Sequence, residues 1–167
     1  YALQHRPSIH GTGIAISTVV AAEVGGLQVR DITVRNTTSH GIATQSAASD
    51  FILERVHVSQ TDSGSLLLEG SGHSIIASSF SGQASFQDSA SLVMEDTSFD
   101  EFSLSSQEGA YLENVSANYL TISGGSDVLL RDSSIATLLS LDSNSLGNRA
   151  LDTTFGSISC ESGSTLA

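Results

Sequence analysis

The chain has 167 residues, 39% of them hydrophobic, with 15 Gly, one Pro and one Cys, which suits one globular domain or one stretch of a repeat array. Eighteen acidic residues against six Arg, with no Lys, give a formal charge of -12, so nucleic acid and anionic membrane surfaces are poor partners. The single Cys160 excludes an internal disulfide framework or a multi-cysteine zinc site, and no apolar run approaches the ~20 residues of a membrane-spanning helix.

The chain begins at Tyr1, and no initiator Met or signal peptide is visible. Residues 1–25 read as one additional N-terminal coil, with Ile14-Ala15-Ile16 and Val19-Val20 as its apolar runs. His5-Arg6-Pro7 has no recognisable partner motif. From residue 26 onward, short alternating apolar clusters are separated by Ser, Gly, Asn, Asp and Thr, the pattern of short strands rather than of helices. Seven hexapeptides stack on one another: VRDITV (29–34), LERVHV (53–58), IIASSF (75–80), MEDTSF (94–99), LENVSA (112–117), LRDSSI (130–135) and ALDTTF (150–155). They recur at spacings of 24, 22, 19, 18, 18 and 20 residues. Each is followed by a second strand, at Ile42/Thr44 and Leu66/Leu68 after longer turns, then at Phe102/Leu104, Leu120/Ile122, Leu138 and Ile158/Cys160. Constant strands with variable turns predict a solenoid, in which each coil buries its apolar face against the next.

The columns of that stack assign faces. The sixth position (Val34, Val58, Phe80, Phe99, Ala117, Ile135, Phe155) is an inward apolar column. The fifth (Thr33, His57, Ser79, Ser98, Ser116, Ser134, Thr154) is an outward ladder, mostly of hydroxyls. The third (Asp31, Arg55, Ala77, Asp96, Asn114, Asp132, Asp152) is polar, and its Arg, Ala and Asn relieve repulsion between carboxylates stacked about 4.8 Å apart. Polar side chains at such a corner can also bond the backbone of the turn. The prediction is an all-β, single-stranded parallel β-helix of about seven to eight coils, with the stack proper over 26–167.

This pattern resembles the right-handed parallel β-helix of pectin-lyase-like proteins over residues 26–160, most clearly in TVRNTTSHGIATQSAASDFILERVHV (33–58). Within residues 10–47, IHGTGIAI followed by GLQVRDITVRNTTSHGI is similar to the β-helix segment of large fibrocystin-like cell-surface proteins. Ala43, Thr44, Gln45 and Ser46 stand where acidic residues usually follow that family's Gly-His-Gly-like turn. The right hand of the helix is what the resemblance implies.

Many pectin-lyase-like relatives act on polysaccharides. Lyase chemistry needs a Ca²⁺ cluster of carboxylates and a base beside the uronate, and hydrolysis needs paired carboxylates. The Asn-Thr-Asp, Asp-Asp and Arg-Ile-Lys motifs of those enzymes are absent. The richest constellation is Asp31, Arg35, His40, Arg55, His57 and Asp62 in the first two coils, where stacking sets Arg55 near Asp31 and His57 near Thr33. If the chain were an enzyme, Asp31, Arg55, His57 and His40 would carry the reaction. The blander reading is an exposed ion pair and a solvated His on an outward ladder. Asp96, Asp132 and Asp152 read as a turn ladder rather than a Ca²⁺ array, so neither metal nor cofactor is expected. Cys160 is expected to be a buried, small apolar residue. Asn36-Thr37-Thr38 and Asn114-Val115-Ser116 fit the glycosylation sequon, with Asn36 the more accessible.

No cap is recognisable at either end of the stack, so the expected neighbours are further coils of a longer chain or end-to-end copies of this one. The leading expectation is a non-catalytic extracellular or cell-surface segment, a rigid spacer, adhesin or appendage component that contacts glycans. The alternatives are a polysaccharide lyase, epimerase or hydrolase, and a phage tailspike-like receptor binder acting as a homotrimer.

Overall fold

Short runs of β-branched and aromatic residues cannot bury an apolar face alone, and here they do so by lying in register on the run before and the run after. In the computed structural model, residues 8–10, 20–22, 26–44, 49–87, 90–105, 108–125, 127–142 and 144–167 are described. They form an all-β parallel β-solenoid of about five turns, with no helix.

Two parallel sheets make its walls. The narrow sheet stacks seven three-residue strands: Gln28–Arg30, Ile52–Glu54, Ser74–Ile76, Val93–Glu95, Tyr111–Glu113, Leu129–Arg131 and Arg149–Leu151. The wide sheet carries the fifth and sixth columns in the register the repeat predicts, Thr33↔His57↔Ser79↔Ser98↔Ser116↔Ser134↔Thr154 and Val34↔Val58↔Phe80↔Phe99↔Ala117↔Ile135↔Phe155. Counting hexapeptides thus counts rungs of the narrow sheet. Complete turns number about five, fewer than the seven to eight expected, because a hexapeptide marks one wall and not a closed coil.

The early turns break the wide sheet into two strands each, Thr33–Thr37 with His40–Thr44 and His57–Thr61 with Gly64–Glu69. The later ones run as single strands, Ser79–Gln87, Ser98–Ser105, Ser116–Ser123 and Ser134–Leu141. Upstream, Ser8–His10 pairs with Thr33–Arg35 and Val20–Ala22 with Ile42–Thr44, both in parallel. Ile14-Ala15-Ile16 and His5-Arg6-Pro7 lie outside the described residues.

Backbone conformation explains the third column better than charge does. All seven of its members, Asp31, Arg55, Ala77, Asp96, Asn114, Asp132 and Asp152, hold positive φ between 48° and 55°. The left-handed region is costly for most side chains and least so for Gly, Asn and Asp, so a column of Asp and Asn is a column of sharp corners. Five residues before each stands another positive-φ residue: Gly26, Asp50, Gly72, Ser91, Gly109, Asp127 and Gly147. Each narrow strand is therefore bracketed by two left-handed corners, repeated without exception down the stack.

Inside, Phe80 and Phe99 stack with ring centroids 5.3 Å apart, and Phe99 touches Phe102 at 4.7 Å while Phe86 meets both edge-on. Two expectations need correction. Leu139, not Leu138, continues the inward column of Phe102 and Leu120, because the register shifts after Ala117 and pairs Leu138 with Tyr119. Cys160 is exposed rather than buried, on the strand Ile158–Cys160 that pairs with Leu139–Leu141.

Candidate functional site

The left-handed corner turns the third-column side chains outward at the edge of the narrow sheet. At the first two corners this sets Arg55 beside Asp31, with Nε 2.6 Å from Oδ1 and a second guanidinium nitrogen 2.9 Å from Oδ2. The same guanidinium contacts Glu54, whose other oxygen lies 2.8 Å from Arg30 Nε. Two cations and two anions thus neutralise one another across two rungs. The Arg55 side chain is 40% exposed, and its bidentate bond to Asp31 raises its pKa above the ordinary guanidinium value.

The structure places the other predicted residues separately. His57 occupies the outward ladder, and its Nδ1 lies 2.6 Å from Ser79 Oγ of the next rung. His40 begins the next strand along the wide turn and pairs with Gly64, on whose missing side chain its ring borders. Arg35 pairs with Ser59 and is exposed. Asp62 donates its amide to the Thr37 carbonyl at 3.1 Å.

That last contact borders a shallow groove of about 470 Å³ lined by Asn36, Thr37, Thr38, Gln60, Thr61 and Asp62. It exists because the wide turns carry an extra pair of left-handed residues, Asn36 and Gln60, each with φ of 55°. Thr61 Oγ1 is buried there with no hydrogen-bond partner among the described residues. Amide, hydroxyl and carboxylate groups of this kind suit hydrogen bonding to a hydroxyl-rich ligand. Of the two sequons, Asn36 is exposed at this groove, whereas Asn114 Nδ2 donates to Asp96 Oδ1 at 2.6 Å within the corner column.

Two further sets of residues escaped the sequence reading because each looks like noise in an apolar column. The fourth column (Ile32, Val56, Ser78, Thr97, Val115, Ser133, Thr153) mixes aliphatics with inward hydroxyls. Ser78 Oγ accepts from the Val56 amide at 3.1 Å and donates to the Ile76 carbonyl at 2.8 Å. Ser133 does the same between the Val115 amide and the Arg131 carbonyl. At the opposite corner, His73 and Asn148 interrupt the column Phe51, Leu92, Ala110, Val128, and each accepts a hydrogen bond from the backbone of the preceding rung, at Phe51 and Val128 respectively. The alternation of polar with apolar residues down one column was the signal available for both sets.

Among the described residues, no group of three or more His, Cys, Asp or Glu side chains is placed to hold a metal ion. No family model, curated protein or solved structure matches the chain.

Proposed function

We propose that this chain is a right-handed parallel β-helix serving as a non-catalytic structural or adhesive segment at the cell surface or in the extracellular space. Its neighbours are further coils of a longer chain or copies of itself added end to end, and its outward hydroxyl ladder and wide-turn groove contact glycans. The observation that carries this reading is the state of Arg55. A general base must shed its proton near the working pH, whereas Asp31 raises the affinity of this guanidinium for its proton and holds it in a fixed bidentate pair. His57, engaged with Ser79, fits the ladder in the same way.

Stacked backbone hydrogen bonds over seven rungs make a stiff element about 35 Å long at the interstrand spacing. The test is incubation with uronate polysaccharides, since a lyase leaves unsaturated, ultraviolet-absorbing ends. No such product is expected. Product that disappears in Arg55→Ala or His57→Ala would replace this reading with an enzymatic one.

A further inference from the structure

His73 is 1% exposed and sits between two rungs with both ring nitrogens engaged. Nε2 lies 3.0 Å from the Glu69 carbonyl, which can only accept, so that nitrogen carries the proton. Nδ1 is then the acceptor for the Phe51 amide at 3.4 Å, and the Phe51 ring packs edge-on against the imidazole at 6.4 Å. The corner here is short. Gly72 has φ of +74°, and a Cβ on it would lie 2.5 Å from Asp50 Oδ1.

A proton added to Nδ1 would point at the Phe51 N–H, setting two donors face to face in a buried site. We propose that His73 makes the joint between the rung at 50–54 and the rung at 72–76 acid-sensitive, so that this joint loosens on acidification while the later turns stay closed. Among the described residues, the charged group near the ring is the Asp50 carboxylate, which favours protonation, as does the neutral Glu69 backbone carbonyl that accepts from Nε2. On the following rung, Ser91 and Leu92 occupy the equivalent corner and do not titrate. Burial opposes the charge more strongly than these neighbours favour it and lowers the His73 pKa. The sign follows: a His with a lowered folded pKa contributes its full stability above the unfolded value of about 6.5, and that contribution falls as pH drops through it.

Asn148 supplies an internal control, because it accepts from the Val128 amide at 3.2 Å by the same geometry and cannot titrate. The experiment is residue-resolved amide exchange on the intact chain, compared as protection factors at about pH 7.5 and about pH 5. Protection at Phe51 is expected to fall roughly tenfold, the change that one extra proton bound by the opened joint produces per pH unit of acidification, while protection at Val128 holds. In His73→Asn, which keeps an acceptor for Phe51, the pH dependence at Phe51 should vanish. Constant protection at Phe51 in the wild-type chain, an equal loss at Val128, or a loss that survives in His73→Asn would each overturn the proposal.

Discussion

The wide turns around residues 28–69 and the narrow turns around residues 93–141 share one construction and differ at one place. Both have a three-residue strand between left-handed corners, then an outward fifth position and an inward sixth. The wide turns add a corner at Asn36 and Gln60 and split the second wall into two strands; the narrow ones run straight through. The groove and the histidines of the outer wall divide along the same line, whereas ion pairs occur in both, with Arg131 of the narrow turns 4.0 Å from Glu113 and 3.4 Å from Asp132. The Arg30, Asp31, Glu54 and Arg55 cluster, His40, His57 and the groove belong to the wide turns. The narrow turns present serines outward at 98, 116 and 134. A solenoid can therefore vary one corner while the paired rungs and core column hold the stack.

The largest effect that would sharpen this contrast is in the core. Phe99→Ala should cost about 3–5 kcal/mol, because it empties the centre of the aromatic cluster formed with Phe80, Phe86 and Phe102. Val58→Ala, at the same column of a wide turn, should cost about 2 kcal/mol or less. Urea titration followed by circular dichroism would rank them, and equal losses would contradict the picture of a core concentrated in the middle turns. A smaller effect of opposite sign is expected at a corner. Ala77 has φ of 49° without the local bonding of Asn or Asp, so Ala77→Asn should stabilise by about 1 kcal/mol. A loss of stability there would mean that the corner column is not a conformational one.

The strand register was legible because apolar and hydroxyl residues alternate cleanly, which fixed the fifth and sixth columns at every rung. The third column was legible as polar, but its cause was misassigned. Charge repulsion explains an Asn between Asp96 and Asp132, yet only backbone conformation explains why Ala77 and Arg55 bend identically. The partner corner was missed since Gly, Asp and Ser share no polarity, only tolerance of positive φ. Leu138 was misplaced because a register shift leaves no mark in composition. His73 was missed because one imidazole in an aliphatic column looks like an exception until the Phe51 amide it satisfies is seen.

At the wide-turn cluster the smallest effect is expected. Arg55→Asn removes a half-buried ion pair but can still donate to Asp31 and also relieves a left-handed Arg, changes of opposite sign, so the thermal midpoint should barely move. A large drop would make the charged corner a structural keystone of the wide turns.

The constant rung is tested most directly by paired cysteines in a Cys160→Ser background. Ser98 and Ser116 are register partners on the outward ladder, and Ser134 is the next rung along. Rungs about 4.8 Å apart fall within the span of a disulfide, and two rungs do not. Ser98→Cys with Ser116→Cys should oxidise within one molecule, while Ser98→Cys with Ser134→Cys should stay reduced. Failure of the first pair, or equally ready oxidation of the second, would contradict the parallel in-register stack.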